Sequence, residues 1–366
     1  MGVKRALSTL ILILLLPTSC SFERRVNIPT VLHPAYAVQP RPGALIVIDI
    51  DAQQIIGKIP LKELPAPAIA VAPNGKVYVP IEGGLGVGSN IVTVYDPKTR
   101  IVKNISVGRI PYDLTITPEG KAYVLNQEGG HHGTISIIDT QTDRVIKTVD
   151  VGLMPWAVTA SPDGRWVYVT REDPGYIPGK PFMFDPNPRS DEPEPAPATI
   201  AVIDTQKDEV VRIVGLREGS APQALAYAYK KLYIALTSAR IDPDPMDTKR
   251  APGKAVIVLD PKSFKVIKRI PVPANPWRMA LAPNGKLYVG HRYLGYEGDD
   301  YRKLTVIDTR SDQVIKIIDA GGEVEGLGMA NSTRLYVSPS TIIDTTTDEI
   351  IGRFPESLYF RSIAGY

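Results

Sequence analysis

Aromatic side chains that directly follow a proline recur at three places, and they are the first residues whose pattern is typical of a ligand site. The sequences are Pro111-Tyr112, Pro155-Trp156 and Pro276-Trp277-Arg278. Tyr and Trp rings have few rotamers and offer much contact area, and an arginine adds directional hydrogen-bond donors. Such a group suits an aromatic or sugar-like ligand, or a peptide. The alternative is that these rings are structural wedges between repeated units, since the position itself repeats.

The histidines are a weaker candidate for metal binding. His131, His132 and His291 lie in segments expected to be loops, where they could meet as ligands. No carboxylate pattern accompanies them, and solvated loop histidines are the competing interpretation. The chain has no Gly-rich phosphate loop, no nucleophile elbow and no haem-attachment motif. We therefore predict no resident metal or cofactor, and the sequence assigns no catalytic residue.

Composition narrows the class of protein. The chain has 366 residues, of which 34 are Pro, and Pro is poorly tolerated inside helices, which argues against a mostly helical fold. Lys plus Arg number 42 and Asp plus Glu number 39, for a formal charge of +3. A chain so close to neutral is not typical of proteins that bind nucleic acid by bulk electrostatics. A single Cys excludes a disulfide framework and a Cys-cluster metal site.

Two short units alternate along the chain and indicate a repeat fold. One unit reads Pro-x-Gly-Lys followed by an aromatic strand, as in Pro73–Val79 and Pro283–Val289. The other reads apolar–apolar–Asp, then a polar turn and a β-branched run. It occurs seven times, with its aspartate at Asp49, Asp96, Asp139, Asp204, Asp260, Asp308 and Asp344.

Each unit encodes a β-hairpin, because Pro-Asn-Gly favours a tight turn and an Asp side chain caps the other turn. Two hairpins make a four-stranded module of about 45 residues, the size of a β-propeller blade. The sequence therefore predicts an all-β, seven-bladed β-propeller with four antiparallel strands per blade. The chain starts and ends on the same hairpin type. We expect Ala35–Val38 and Leu358–Ala364 to complete a closing blade shared by the N- and C-termini.

The repeated units resemble those of the YVTN-repeat β-propeller family, and the chain resembles a member of that family that is a lipoprotein of the bacterial cell envelope. The resemblance is carried by Lys121–Val124, Trp166–Thr170, Val202–Thr205 and Val107–Pro111, and it covers roughly residues 35–366. It implies the propeller fold. It implies no single activity, because relatives include surface-layer and cell-envelope proteins, lactonases, and propellers that hold haem or copper or support a quinone cofactor.

The order of the strands in a blade places the candidate site residues and the repeated aspartates on two different faces of the propeller. With strands A to D running outward from the central channel, the A–B and C–D turns share one face, where we interpret the repeated aspartates as turn formers. The B–C and D–A connections share the other face, which carries the long segments 171–199, 237–254 and 291–303. The predicted ligand-binding residues at the channel mouth on this face are Tyr112, Trp156, Trp277, Arg278 and Glu325.

A targeting segment precedes the repeats. A short basic region is followed by the apolar run Leu7–Leu16, which is too short to span a bilayer comfortably. Cys20 then stands where a bacterial lipoprotein signal, which the segment resembles, carries its lipidated cysteine; an ordinary secretory signal is the alternative. The expected division is a signal peptide over 1–19, a lipidated Cys20 with a flexible tether over 20–34, and one propeller over 35–366.

These observations predict an extracytoplasmic lipoprotein, on the cell surface or the periplasmic side, that is held at the membrane by a lipid on Cys20. We interpret the propeller as a binding or protein-interaction module of the cell envelope. Its expected partner on the long-loop face is an envelope protein, a peptide or a glycan, and no nucleic acid is expected. Two alternatives stay open: a propeller enzyme of lactonase or lyase type, and a cofactor-supporting propeller of a periplasmic redox system.

Overall fold

The computed structural model describes residues 23–84, 87–129, 132–172, 198–216, 222–240, 250–293, 299–354 and 359–365. Within these ranges the chain is all-β, and its one helical element is a 3-10 turn at Asp300–Arg302. This part of the chain contains no helix with the length and hydrophobicity that crossing a bilayer requires. The strands, in chain order, are β1 Glu23–Arg25, β2 Pro34–Gln39, β3 Ala44–Asp49, β4 Gln54–Pro60, β5 Ala70–Val71, β6 Val77–Gly84, β7 Val87–Asp96, β8 Ile101–Ser106, β9 Pro111–Ile116, β10 Lys121–Asn126, β11 Gly133–Asp139, β12 Arg144–Gly152, β13 Pro155–Ala160, β14 Trp166–Glu172, β15 Ala198–Asp204, β16 Glu209–Gly215, β17 Pro222–Ala228, β18 Lys231–Arg240, β19 Arg250–Leu259, β20 Val266–Pro271, β21 Pro276–Leu281, β22 Lys286–His291, β23 Lys303–Asp308, β24 Gln313–Asp319, β25 Leu327–Met329, β26 Arg334–Val337, β27 Thr341–Asp344, β28 Glu349–Arg353 and β29 Ser362–Gly365.

The strands group into antiparallel units of four. β9–β12, β13–β16, β17–β20 and β21–β24 each form one sheet, and β5–β8 form another to which β1 adds a fifth strand. β25–β28 form a further four-stranded unit. A single parallel pair, Leu327 with Ser362, connects that unit to the strands β29, β2, β3 and β4. The predicted all-β fold with four-stranded antiparallel units is confirmed.

The two ends of the described chain meet in one unit. β2 pairs with β3 along one edge and with β29 along the other, so that Tyr36 lies opposite both Val47 and Ala364. The inner strand expected over 358–364 is observed at Ser362–Gly365, and residue 358 lies outside the described ranges. This pairing covers strand edges that would otherwise be open to another chain.

The apolar core lies between successive units. One cluster joins Tyr36 and Val38 of the unit that contains both chain ends to Val77 and Val79 of the unit after it. The other apolar clusters also each combine residues of two neighbouring units. The units therefore pack face to face around a common axis, with their aliphatic strand faces interdigitated.

The turn chemistry agrees with the sequence interpretation. At the Pro-Asn-Gly turn, Gly75 adopts a φ of +91°, and Asn74 Oδ1 accepts a hydrogen bond of 3.1 Å from the Lys76 amide. At the other turn type, Asp139 Oδ1 accepts a hydrogen bond of 2.9 Å from the Gln141 amide. These Asp side chains shape the turns, as the sequence predicts.

A second aspartate of the same turns links neighbouring units, which the sequence analysis missed. Asp143 has only 1% of its side chain exposed, and it accepts hydrogen bonds from Tyr78 Oη and, at 2.6 Å, from Lys76 Nζ of the preceding unit. We call this arrangement the Lys-Tyr-Asp latch. It recurs as Lys121 and Tyr123 with Asp208, Lys231 and Tyr233 with Asp312, and Lys286 and Tyr288 with Asp348.

The segment before the first repeat is docked, which corrects the prediction of a flexible tether over 20–34. β1 pairs antiparallel with β8, with Arg24 opposite Val102. Ile28 is buried and packs in the cluster that joins the first two units along the chain. A strand ladder and a buried aliphatic side chain therefore fix this segment from Glu23 onward. The predicted signal peptide over 1–19 and the lipidated Cys20 lie outside the described residues.

The long B–C segments are described in part. Residues 173–197, 241–249 and 294–298 lie outside the described ranges. The segment 237–254, predicted as a loop, instead continues its hairpin, with Ser238 paired to Pro252 and Arg240 paired to Arg250. The sequence alone did not indicate this extension, because the segment carries several prolines and little period-two alternation.

Candidate functional site

The innermost strands of all the units converge on a polar cavity of about 140 Å³, which we call the central cavity. Side chains near the starts of these strands line it. The polar members of the lining are Asp113, Gln223, Arg278, Arg361 and Ser362. A ring of short strands that converge on an axis therefore brings together residues that are up to 249 positions apart in the sequence.

A β-bulge determines where the predicted aromatic residues lie. In β9, β13 and β21 the strand register skips one residue after the proline, and the skipped residues are Tyr112, Trp156 and Trp277. β17 has the same bulge at Gln223, which the sequence analysis missed because this residue is not aromatic. A bulge takes its residue out of the ladder and redirects the side chain. Gln223 lines the central cavity, and Tyr112, Trp156 and Trp277 each directly precede a residue that lines it. We call these four residues, together with Glu325, the rim of the central cavity.

The prolines before the bulges explain why the position repeats. Thr170 Oγ1 donates to the Pro222 carbonyl at 2.8 Å, and Thr237 Oγ1 donates to the Pro276 carbonyl at 2.6 Å. In each case the donor lies on the second strand of the preceding unit. The proline is thus part of the contact between units, as the wedge interpretation requires. Tyr112 also packs against the apolar cluster that joins its unit to the next one, although all three aromatic rings are only half-buried.

Tyr112 and Trp156 form an edge-to-face pair on one side of the rim. Their ring centroids are 6.2 Å apart and the planes are inclined by 81°. Trp156 Nε1 is buried and has no hydrogen-bond partner among the described residues. A buried donor without a partner is unfavourable, so this N–H is available to an acceptor that enters beside the ring.

Two arginine side chains lie against the ring of Trp277, on the other side of the rim. The guanidinium carbons of Arg278 and Arg292 lie 4.8 Å and 4.4 Å from the centre of its ring. Arg278 Nε is buried and without a hydrogen-bond partner in the described part of the chain. Direct ligand contact by Trp277 stays a prediction; in the structure two guanidinium groups lie against its ring.

Glu325, the carboxylate that the sequence analysis assigned to the same site, lies within the electrostatic reach of these arginines. Tyr359 Oη donates a hydrogen bond to its carboxylate. Burial raises the pKa of Glu325, the charge of Glu323 raises it further, and three arginines, including Arg278 and Arg292, oppose that shift. The third is Arg361, which forms an ion pair of 3.0 Å with Glu82. The sequence analysis did not identify Arg361 or Tyr359, because neither belongs to a repeated motif.

Asp113 is a lining carboxylate that the sequence analysis also missed. Its Oδ2 accepts a hydrogen bond of 2.9 Å from the Val158 amide on the next innermost strand, and its Oδ1 accepts one of 2.9 Å from the Leu114 amide. Burial raises its pKa to about 6, although these amides and the positive charge of Arg278 pull in the opposite direction. The sequence did offer one signal for this residue: Asp113 is an acidic side chain near the start of a short strand that is otherwise uncharged.

The histidines do not assemble into a metal site in the described residues. His291 is fully buried, with Nδ1 3.0 Å from the Ala274 carbonyl and Nε2 2.9 Å from Thr305 Oγ1, and burial lowers its pKa to about 4. Both ring nitrogens are occupied, so the interpretation of His291 as a loop ligand is wrong. His132 is exposed, with Nδ1 3.7 Å from Asp150 Oδ2. His131 lies outside the described ranges. Those ranges contain no group of three His, Cys, Asp or Glu arranged to hold a metal ion.

A second, wider cavity of about 410 Å³ opens at the opposite end of the innermost strands. Turn residues line it, from three segments: 71–73, 115–118 and 160–162. None of these residues is charged or aromatic. The chemistry that could recognise a ligand is therefore concentrated at the rim of the central cavity.

Comparison with known proteins supports the fold and assigns no activity. No protein-family model and no curated protein matches the sequence. Hydrazine synthase of Kuenenia stuttgartiensis is similar in structure, with a TM-score of 0.64 and 19% identity, covering 85% of this chain and 90% of that chain. The dihydro-heme d1 dehydrogenase NirN, in complex with DHE, gives a TM-score of 0.56 at 15% identity, covering 93% and 77%. A Bacteroides caccae protein of unknown function gives 0.51 at 14% identity, covering 79% and 94%. At such identities the similarity concerns the fold alone, and the chain is an all-β protein with propeller-type structural neighbours.

Proposed function

We propose that this chain is an exported, lipid-anchored, seven-bladed β-propeller of the YVTN-repeat kind that binds a ligand at the rim of its central cavity. Seven four-stranded units can be traced, and seven apolar clusters each join two of them, the last returning to the first. This ring of contacts supports the seven-bladed count. A propeller presents one concave site where its innermost strands converge, which is where proteins of this architecture offer a ligand surface.

One observation carries the binding function. Two buried donors, Trp156 Nε1 and Arg278 Nε, have no hydrogen-bond partner among the described residues, and both lie at the rim beside aromatic rings. Natively buried polar groups are nearly always paired, so a ligand that supplies the acceptors would satisfy both. Other buried polar atoms of the described residues, among them Tyr336 Oη and Ser338 Oγ, also lack a partner, so it is the position of these two donors beside the rim aromatics that favours a ligand. Binding needs only these donors and rings, whereas catalysis would also require an assigned nucleophile or base. The partner classes we favour are an envelope protein, a peptide or a glycan.

The proposed anchor constrains how the propeller sits on the membrane. Ser21 and Phe22 alone separate Cys20 from Glu23, the first residue of β1. An extended chain reaches about 3.5 Å per residue, so a lipid on Cys20 would hold the outer edge of the β5–β8 sheet within about 11 Å of the acylated cysteine. The docked segment thus supports a close attachment, with the propeller resting near the envelope surface.

Binding at the rim is testable without knowledge of the ligand. Saturation-transfer NMR with a small set of aromatic acids, aromatic amides, short peptides and sugars would be run on the wild type and on a Trp156→Ala/Arg278→Gln variant. Lys98→Gln, an exposed change at a C–D turn on the opposite face, is the matched control. We expect compounds that bind the wild type and the control and lose binding in the rim variant. If no compound distinguishes the rim variant from the control, the proposal is wrong.

A second candidate, a cofactor-supporting propeller of a redox system, is favoured by the fold similarity to a chain solved in complex with DHE. Because both nitrogens of His291 are engaged, that residue is not an axial ligand. A visible absorption spectrum and a metal analysis of protein purified from its native membrane would decide this. Visible absorption or a stoichiometric amount of metal would support the cofactor-supporting propeller and overturn the proposal of a binding module. A lactonase- or lyase-type activity has no specific observation in its favour.

A further inference from the structure

The arginines beside Trp277 lie over its ring and form no direct ion pair within the described residues. The described residues give the guanidinium groups of Arg278 and Arg292 no side-chain hydrogen bond and no carboxylate within ion-pair distance, and both groups lie over the indole ring instead. The other rim charges have partners. Arg361 is paired with Glu82, and Glu325 accepts a hydrogen bond from Tyr359. Two guanidinium groups beside Trp277 are therefore without an acceptor in the described part of the chain: Arg292 is an exposed side chain, and Arg278 Nε is buried.

A guanidinium presents a planar fork of N–H groups that matches a carboxylate in a bidentate geometry. Phosphate has similar oxygens, but it carries up to two negative charges. The charges of Glu325 and Asp113 act in the same region, so each negative charge on a ligand is attracted by the arginines and repelled by these carboxyl groups. A monocarboxylate is the class put to the test below, with inorganic phosphate as the competing anion.

The second recognition element is the Tyr112–Trp156 pair. Arg278 lines the central cavity together with Asp113 and Ala157, the residues that follow Tyr112 and Trp156, so Arg278 and the aromatic pair border the same cavity. The cavity of about 140 Å³ has room for a small group only, and the rings extend the contact surface outward. A flat ring that bears an acid would pair its carboxylate with the guanidinium and place its apolar face against the aromatic pair.

Resting on the proposed binding function, we propose that the ligand is a planar aromatic monocarboxylic acid, or a larger molecule that presents one. Its carboxylate binds Arg278 and Arg292, and its ring lies against Tyr112 and Trp156. Trp277 acts as a positioning residue, because it orients both arginines.

The test compares 2-naphthoate with 2-naphthamide, which have the same ring and differ in charge, and with inorganic phosphate. Dissociation constants are measured by NMR titration on the full-length protein for the wild type, Arg278→Gln, Arg292→Gln and the Lys98→Gln control. We expect the wild type to bind the acid at least tenfold more tightly than the amide. Each arginine variant should lose most of that preference while its affinity for the amide stays the same. Unchanged melting temperatures of the two variants show that the arginine, rather than the fold, is responsible.

The outcomes separate the ligand class from the binding function. If the amide binds the rim as tightly as the acid, or if phosphate binds more tightly than 2-naphthoate, the acid assignment is wrong and the rim remains a binding site. If the acid preference persists in both arginine variants, the assignment of these two residues is wrong. If neither aromatic compound nor any member of the earlier compound set binds in a rim-dependent way, the proposed function falls together with the inference.

Discussion

Replacing Asp143 by Asn tests whether the Lys-Tyr-Asp latch stabilises the contact between neighbouring units. The carboxylate is 1% exposed, accepts hydrogen bonds from Tyr78 Oη and, at 2.6 Å, from Lys76 Nζ, and forms an ion pair of 2.5 Å with Lys103 Nζ. Asn keeps the size of the side chain and tolerates the φ of +55° at this position, so the substitution removes charge with little backbone strain.

The expected loss of stability depends on the lysine and tyrosine groups that keep their positions after the carboxylate is removed. Removal of one partner of a buried ion pair destabilises a protein by about 3–5 kcal/mol. The lysine side chains are 17% and 26% exposed, so water compensates part of their lost partner, and we expect a decrease of about 2–3 kcal/mol in the free energy of unfolding. Burial and the neighbouring Asp143 raise the pKa of Tyr78, so its hydroxyl stays protonated and donates throughout the measurable pH range.

Urea unfolding monitored by tryptophan fluorescence measures the change. Asp139→Asn is the matched control, because Asp139 belongs to the same turn but is exposed and accepts hydrogen bonds only within the turn; it should lose about 1 kcal/mol or less. A double-mutant cycle with Tyr78→Phe should give a coupling of about 1.5–3 kcal/mol, the range for a hydrogen bond to a charged group. Equal losses for Asp143→Asn and Asp139→Asn would refute the latch as a stabilising contact between units.

Four further outcomes are expected. Cys20→Ser should abolish partitioning into the detergent phase on Triton X-114 phase separation, and unchanged partitioning would contradict lipidation there. Deletion of Tyr359–Tyr366 removes β29 and unpairs β2, so calorimetry should show a marked fall in melting temperature and light scattering should show aggregation; a wild-type melting temperature would contradict the shared unit. The folded-state pKa of Asp113 is raised to about 6 from an ordinary value of 3.8, so its contribution to stability is present below about pH 4 and is lost as the pH rises through 6. Asp113→Asn should therefore flatten this part of the plot of unfolding free energy, measured in urea, against pH. An identical plot for the variant and the wild type would contradict the raised pKa. Trp277→Ala should weaken binding of 2-naphthoate by about 2 kcal/mol with little change in melting temperature, whereas a loss of about 3–5 kcal/mol in stability with intact binding would identify a structural wedge.

Much of the architecture follows from local sequence chemistry. Pro-Asn-Gly and the Asp-capped turns define hairpins because they limit the backbone to turn conformations within a few residues. The strands between them alternate or are wholly apolar, so their four-stranded pairing follows from neighbours in the chain. The pairing of Ala35–Val38 with the C-terminal end was also predictable, because a surplus hairpin at each end leaves one unit to be completed by both.

The candidate site was predictable only where it follows the repeat. Tyr112, Trp156 and Trp277 share a position after a proline, and that periodicity is visible in the sequence. Arg292 and Asp113 carry no motif. Their roles depend on which side chains the converging strands bring within reach, and that is a property of contacts between units rather than of any one hairpin.

The sequence by itself determined the repeat, the hairpins and the order of strands in each unit, because these depend on interactions between residues close in the chain. The tertiary structure decided the rest. It buried His291 with both ring nitrogens occupied, and it docked Ile28 where a free tether was expected. It also turned Asp143 from a turn residue into the acceptor for a tyrosine 65 positions away. In each case the physical reason is the same: burial and partner choice are set by packing between units that are distant in the chain, and no local pattern encodes them.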